Sequence, residues 1–157
     1  MRKANYDKFP STKLTGMLVQ GWDSIISMLK KKMDARKVLA VDLYTGVYEE
    51  EVLDAFSKEF SGRVMNVRDL MKPEKEIQTL TERFMTEDVL FGYVTNLKLE
   101  DYLDADKVAA ARKQISEAKD AIVIIGTGAS VVAPQDAMVV YADMARWEIQ
   151  QRFRRHE

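Results

Sequence analysis

The sequence contains no cysteine and a single histidine, His156, among its 157 residues. Disulfide bonds and thiol chemistry are therefore excluded, and one histidine cannot form a histidine-cluster metal site. No apolar run approaches the roughly 20 residues that a membrane-spanning helix needs, and the polar segment 1–6 has no signal-peptide core behind it. We therefore expect a cytoplasmic protein that holds no cofactor in this chain and has no membrane partner.

The sequence also has little net charge, because 24 basic and 25 acidic side chains leave a net charge of −1. This balance provides no overall attraction for nucleic acid, so we expect no nucleic-acid partner. The hydrophobic share of 46% and the charged share of 31% are typical of a globular protein. The length predicts one domain over residues 1–157, in which the polar residues 1–12 form an N-terminal arm.

Short apolar segments alternate with amphipathic segments along most of the chain. The apolar segments predict strands at 13–19, 38–42, 64–67, 121–125 and 137–141. The amphipathic segments predict helices at 22–33, 47–60 and 105–118, the last with Asp104 as its N-cap, and further helices that begin at Pro73 and Ala145. Residues 86–103 are expected to be irregular, with a helical turn near 99–103. This alternation indicates a three-layer α/β domain with a mostly parallel sheet and helices on both faces.

The junction that follows the strand at 38–42 is the most informative feature of the sequence. The strand continues into Thr45 and Gly46, and three glutamates, Glu49 to Glu51, open the next helix. A strand that turns through a glycine into a helix N-terminus is typical of an anion site, because free backbone N–H groups and the helix dipole converge there. Alternatively, the glutamates simply stabilise the start of the helix. Thr45 and Gly46 are the candidate ligand-binding residues here.

Asp69 follows the predicted strand at 64–67. An acidic residue at the carboxyl end of a parallel strand faces the crevice where open α/β sheets bind ligands. In a kinase such a residue takes the proton of an attacking hydroxyl group or holds magnesium. The alternative is a loop aspartate that pairs with the neighbouring Arg68.

Gly126 and Thr127 follow the most apolar predicted strand. Glycine at this place lets the backbone approach a ligand closely, and it also permits a sharp exit from the sheet. A dinucleotide-binding fingerprint would need a third glycine and a helix that opens at once. Residues 131–134 do not look like that helix, and we predict none there.

The last predicted helix carries several arginines, of which Arg152 and Arg155 are the candidate ligand-binding residues. Arginine binds phosphate groups bidentately, but a basic helix C-terminus also suits the helix dipole without any ligand. The helix reaches the end of the sequence without a glycine or proline to terminate it. From this we expect the chain to be part of a longer protein; the alternative is that the end of this helix frays.

Taken in order, these segments resemble the uridine-kinase-like branch of the P-loop kinases. The strand at 38–42 and its turn stand where that family has its phosphate loop, and the segment 67–72 resembles the strand end that carries the catalytic aspartate, on which Asp69 falls. The segments 136–143 and 149–155 resemble the last strand and the arginine-rich lid helix, so Arg152 and Arg155 fall on the arginines that would hold ATP phosphates. The loop at 42–51, however, contains no lysine or serine, and Ile125 replaces the acidic residue expected beside Gly126.

Four other segments carry a closer resemblance, and they lie at 5–10, 20–22, 42–48 and 141–150. They are similar to the N-terminal domain of certain bacterial proteins described as class I mannose-6-phosphate isomerases. The resemblance implies that the isomerase chemistry lies in a zinc-binding cupin domain further along the chain. The zinc ligands are then expected in that downstream domain, which would be the partner of this one.

These observations lead to one hypothesis and two alternatives. We expect a kinase-like accessory or regulatory domain without kinase activity, with Asp69 as a vestigial base and with a phosphorylated small molecule as its candidate ligand. The missing lysine and the added acidic residues should weaken the stabilisation of phosphoryl transfer by several kcal/mol. The alternatives are a divergent active sugar or nucleoside kinase and a structural module for homo-oligomerisation.

Overall fold

The computed structural model describes residues 10–13, 15–33, 37–88 and 91–156. Its helices are α1 (Trp22–Met33), α2 (Glu49–Glu59), α3 (Glu74–Glu82), α4 (Ala105–Glu117), α5 (Ala129–Val132) and α6 (Arg146–Arg155). Its strands are β1 (Val38–Leu43), β2 (Arg63–Asn66), β3 (Ile122–Gly126) and β4 (Met138–Ala142). Two turns of 3₁₀ helix lie at Val67–Leu70 and Leu99–Tyr102.

The four strands form one parallel sheet in the order β2-β3-β1-β4. In its register, Val38 pairs with Ile122 of β3 and Leu39 pairs with Met138 of β4. The two central strands are almost entirely buried, as expected for parallel strands that helices cover on both faces.

Helices pack on both faces of the sheet and form two separate cores. Leu39 and Val41 of β1 face the first core, which α1 and α2 cover. Val38 and Ala40 face the second core, which α4 and α5 cover. Because side chains alternate along a strand, each central strand contributes to both cores. The prediction of a three-layer α/β fold is therefore confirmed.

The connections that leave the two central strands run to opposite faces of the sheet. The chain after β1 enters α2 in the first core, whereas the chain after β3 enters α5 in the second core. Adjacent parallel strands whose connections diverge in this way create a crevice at their carboxyl ends. The residues that follow β1 and β3 therefore meet at one place.

Most predicted elements are present, with ends that differ by one or two residues. Asp104 caps α4, since its carboxylate accepts hydrogen bonds from the N–H groups of Asp106 (3.0 Å) and Lys107 (3.1 Å). The helical turn predicted near 99–103 is the second 3₁₀ turn. The region before it is irregular where it is described.

One prediction about the ends of the domain needs correction. The strand predicted at 13–19 is wrong for the described residues 13 and 15–19, which have no strand conformation. At the other end, α6 finishes without a glycine or proline, since His156 adopts a left-handed conformation with φ 59° and its N–H closes the last turn. Of the predicted N-terminal arm, residues 1–9 lie outside the described part of the chain.

Candidate functional site

The loop between β1 and α2 borders a cavity of about 400 Å³. Gly46 takes a positive φ of 104°, which a glycine adopts without strain, and the N–H of Val47 donates to Tyr44 O at 3.0 Å. Thr45 is exposed at the outside of this turn. Arg68 and Thr127 reach the same cavity from the segments after β2 and β3. The structure therefore brings three of the predicted site residues, Thr45, Gly46 and Thr127, to one cavity.

The N-terminus of α2 faces this cavity with its own carboxylates. Tyr48 is the N-cap and provides no side-chain cap, and Glu49 and Glu50 lie in the first turn. The guanidinium of Arg68 contacts both carboxylates, at 3.4 Å from Glu49 Oε2 and 3.3 Å from Glu50 Oε1. The other oxygen of Glu49, Oε1, is buried and accepts no hydrogen bond within the described residues. The place where a phosphate group would lie thus holds two acidic groups and one basic group.

Asp42, at the carboxyl end of β1, occupies the crevice between the central strands. Its carboxylate accepts hydrogen bonds from the N–H groups of Gly128 (2.9 Å) and Ser130 (3.0 Å), and also from the hydroxyl of Ser130. An acidic side chain that accepts from the first N–H groups of a helix acts as its cap. Asp42 therefore caps the N-terminus of α5, although it lies far from α5 in the sequence.

The short helix α5 corrects the prediction that residues 131–134 form no helix. One helical turn begins at Ala129, directly after Gly128. A single turn gives few hydrogen bonds of its own, so local sequence signals for it are weak. The carboxylate of Asp42 and the second core, in which Ala129 and Val132 are fully buried, hold it in place.

Gly126 and Thr127 have structural roles in this arrangement. The hydroxyl of Thr127 donates to Leu43 O at 3.0 Å, which joins the ends of β3 and β1. Gly126 has a φ of 135°, and a Cβ atom at this position would lie 2.8 Å from Val67 Cβ. Close packing against Val67 therefore requires glycine here. Their assignment as ligand-binding residues remains a prediction.

Asp69 lies on the exposed side of the first 3₁₀ turn. The side chain of Asn66 caps this turn by accepting from Arg68 N–H at 2.8 Å. The guanidinium of Arg68 is directed to Glu49 and Glu50 rather than to Asp69. Asp69 thus lies exposed beside the carboxyl edge of the sheet, and its role as a vestigial base stays a prediction.

Arg152 of α6 contacts the loop that contains Gly46. Its Nη1 donates to Gly46 O at 2.6 Å, and its guanidinium carbon lies 3.7 Å from the centre of the Tyr48 ring. Its Nε also donates to Glu148 at 3.0 Å. Gly46 and Arg152 therefore lie close together, as predicted. The groups that Arg152 contacts, however, belong to the protein and not to a ligand.

Arg155 contributes to the same cluster through Glu148. Its Nη2 lies 3.2 Å from Glu148 Oε1, the oxygen that also accepts from Arg152. Hydrogen bonds from Arg152 and then from Arg155 hold the pKa of the Glu148 carboxyl below its ordinary value. Both arginines that were predicted to hold phosphate therefore have a carboxylate partner on α6.

The carboxyl edge of the sheet also carries negative charge beside β4. Partial desolvation and, after it, the carboxylate of Asp143 raise the pKa of the Tyr141 phenol above its ordinary value, and Asp42 acts in the same direction. Tyr141 lies opposite Asp42 in the register of β1 and β4. Asp143 and Asp42 therefore both place negative charge near the Tyr141 phenol.

A comparison with protein families places this arrangement in a wider group. The model of a family described as a domain of unknown function, DUF8485, matches residues 21–157. The chain belongs to the DUF8485 family. The matched range contains every helix and strand of this DUF8485 domain, from α1 to α6. No curated protein and no solved structure matches the chain.

Membrane-spanning helices and clusters of metal-ligating side chains are both absent from the described residues of the DUF8485 domain. Among its helices, none combines the length and the apolar character that crossing a bilayer requires. Within the same residues, no three histidine, cysteine, aspartate or glutamate side chains are grouped so that they could hold a metal ion.

Sequence reasoning missed Asp42 and Glu148, which organise the site. Asp42 had a signal, since it is the one polar residue of an otherwise apolar buried strand. Such a residue at a strand end usually has a buried partner. Glu148 had a weaker signal, its spacing of four residues from Arg152 on one helix.

Proposed function

We propose that this DUF8485 domain is a kinase-like accessory domain that does not transfer phosphoryl groups. In this proposal it is cytoplasmic and regulates or supports a sugar-phosphate isomerase, of the mannose-6-phosphate isomerase type, in carbohydrate metabolism. The single observation that supports the loss of transfer is the carboxylate pair of Glu49 and Glu50 at the N-terminus of α2, facing the cavity at Gly46. The zinc of such an isomerase would belong to a separate downstream domain.

The charges around the cavity argue against a nucleoside triphosphate. Phosphoryl transfer depends mainly on cations that stabilise the charge of the transferred group. Arg68 is the cation that lines this cavity, and it already contacts two carboxylates. The carboxylate of Glu49, whose Oε1 accepts no hydrogen bond within the described residues, would also repel a triphosphate. Each of these features disfavours binding of a nucleoside triphosphate.

A phosphorylated small molecule with fewer charges remains the candidate ligand in this proposal. It would bind at the backbone of Thr45 and Gly46 if Arg152 moved from Gly46 O to the ligand, because Arg152 already lies at the rim of this turn. Arg155 would supply a second cation through the same helix. This binding would compete with the contacts to Glu148.

Thermal melting with ATP and magnesium tests the proposal. A ligand at a hundred times its Kd stabilises a protein by about 2.7 kcal/mol, which a melting curve detects easily. We expect no shift for the natural sequence. A variant with Glu49→Gln and Glu50→Lys should become more stable when ATP is added, because a cation then replaces an anion at the N-terminus of α2. The matched control, Glu74→Gln with Glu76→Lys, makes the same charge change in the first turn of α3 and should show no shift.

Magnesium-dependent stabilisation of the natural sequence by ATP would contradict the proposal. If phosphate transfer from ATP to a sugar or nucleoside accompanied it and was lost in Asp69→Asn, the domain would be a divergent active kinase instead. The link to the isomerase has a separate test. Deleting this domain from a protein that also carries the isomerase domain should change the regulation or stability of mannose-6-phosphate isomerisation, and an unchanged enzyme would contradict an accessory role.

Self-association is a second candidate function, because β4 has a free edge. Within the described residues, β4 pairs with β1 alone. The carbonyl of Ala142 accepts from Tyr44 N–H at 2.9 Å, so the backbone groups of Ala142 face β1. Since backbone groups alternate along a strand, those of Val139 and Tyr141 face away from the sheet. The side chains of these two residues are also exposed, by 55% and 59%.

A second copy of the chain could pair with this edge across a two-fold axis at Val140. An antiparallel pair with that centre would place Val139 opposite Tyr141 of the other copy, with no charged residue along β4. Aromatic and β-branched residues in opposite positions stabilise such pairs. Sedimentation of the natural sequence should then show a dimer that Val139→Lys abolishes and that Arg152→Ala leaves intact. A monomer at all concentrations would exclude this function.

A further inference from the structure

A second cavity opens at the other end of the sheet, beside the amino ends of β1 and β4. Its volume is about 600 Å³, within the range of small-molecule sites. The second half of α4 forms one wall, and the segment 132–137 forms the other. Val38, Ile115 and Val132 line it with apolar surface that belongs to the second core. The cavity therefore reaches the hydrophobic interior.

The cavity is open because small residues face each other across it. Ala118 ends α4 on one side, while Ala133, Pro134 and Ala137 lie on the other. Larger side chains at these positions would fill the space and close the second core. Val38 and Ile115 beneath the cavity each keep 8% of their surface exposed, and Ala133, Pro134 and Ala137 add more exposed apolar surface.

Charged groups border this apolar surface, and among the described residues that line the cavity the balance is positive. Arg112 and Lys37 provide two cations, and Asp136 provides one carboxylate. The guanidinium of Arg112 donates to Val131 O at 2.8 Å and to Val132 O at 3.4 Å, which fixes the plane of the group at the rim. Lys37 is exposed and immediately precedes β1. An anionic group at the rim would meet one fixed cation and one adaptable cation.

We propose that this cavity binds a small, mainly apolar molecule that carries one anionic group, such as a carboxylate or a sulfonate. The apolar body lies against Ile115 and the more exposed Ala133, Pro134 and Ala137. The anion lies at Lys37 and Arg112. Apolar contact supplies the affinity, and the cations select the charge of the ligand. This site is separate from the cavity at Gly46 and does not depend on the proposed function.

Two fluorescent probes that differ by one sulfonate group test the proposal. Anilinonaphthalene sulfonate combines an aromatic body with one anionic group, and N-phenylnaphthylamine is its neutral counterpart. We expect saturable binding of one sulfonate probe per chain, with changes in the amide NMR signals of residues 37–38, 132–133 and 135–137. Lys37→Glu should weaken binding of the sulfonate probe by about tenfold and leave binding of the neutral probe unchanged. Lys113→Glu makes the same charge change on the exposed side of α4 and should have little effect.

A second pair of variants tests the location without changing charge. Ser116 is exposed and borders the cavity, so Ser116→Trp should fill it and abolish binding of both probes. Ala110→Trp adds the same side chain to an exposed position of α4 outside the cavity and should leave binding intact. Absence of binding at millimolar probe, signals that change elsewhere, or equal affinities in the natural sequence and Ser116→Trp would each overturn the proposal.

Discussion

The two ends of the β1–β3 strand pair use their polar groups in opposite ways. At the carboxyl end, Asp42 and Thr127 bind the protein's own backbone, and Arg68 pairs with the glutamates of α2. At the amino end, small residues leave a cavity with cations at its rim. Ligands usually bind at the carboxyl end of such sheets. Here the polar groups at that end contact the protein itself, so the position of a crevice within a fold does not by itself decide its function.

The largest effect on this comparison should come from Gly126→Ala. The new Cβ atom would lie 2.8 Å from Val67 Cβ, at a φ of 135° that other residues rarely adopt. Strain and overpacking together should lower the free energy of unfolding by about 3 kcal/mol or more, measured by urea denaturation. Gly16→Ala, which has nothing within 4 Å, is the control and should be almost neutral. Equal stability of both variants would contradict the packing argument.

Asp42→Ala should have the next largest effect. The substitution leaves the N–H groups of Gly128 and Ser130 without their acceptor, and a lost charge-assisted hydrogen-bond pair should cost about 2–3 kcal/mol of unfolding free energy. Asp143→Ala removes an exposed carboxylate nearby and should change stability by less than about 0.5 kcal/mol. If Asp42→Ala lowered the free energy of unfolding as little as this control, the hydrogen bonds of Asp42 would not stabilise the carboxyl end.

A substitution at the amino end should have a much smaller effect. Ala133→Val adds two methyl groups toward a cavity that has room for them, so we expect a change within about 0.5 kcal/mol or a slight stabilisation. Denaturant midpoints of this variant and of Gly126→Ala provide a direct comparison of the two ends. A loss as large as that of Gly126→Ala would mean that the amino end is packed as tightly as the carboxyl end.

The smallest effect concerns the pH dependence of α6. Arg152 and Arg155 lower the pKa of Glu148, so its ionisation stabilises the folded state above the ordinary glutamate pKa. This contribution is lost as the pH falls through the lowered folded-state value. NMR titration should give a Glu148 pKa below the ordinary value, and Arg152→Ala should move it upward. An unchanged pKa in the variant would show that Arg152 does not stabilise the carboxylate.

Hydrophobic patterns were sufficient to predict the sheet and the main helices, because β1, β3 and the apolar helix faces are buried in two cores. The strand predicted at 13–19 failed for a physical reason. Met17 and Leu18 are exposed by 77% and 78%, and no described strand pairs with them. An apolar sequence forms a strand only where another strand supplies hydrogen-bond partners.

The site was partly predictable. The order of the segments brought Gly46, Thr127 and Arg152 to the carboxyl edge, because parallel strands end at the same side of a sheet. The role of Asp42 was not predictable, since its partners Gly128 and Ser130 follow a different strand and depend on the tertiary register. The helix α5 was missed for the same reason.

The position of β1 in the sheet has a consequence for how the chain folds. Both of its neighbours, β3 and β4, are synthesised after α4, whereas β1 itself is made before α2. Within the described part of the chain, α2, β2, α3 and α4 therefore follow β1 before the first strand that pairs with it. Distant pairings of this kind slow folding and expose unpaired strand edges in the meantime. Until β3 pairs with it, the apolar β1 is a segment at which aggregation can begin.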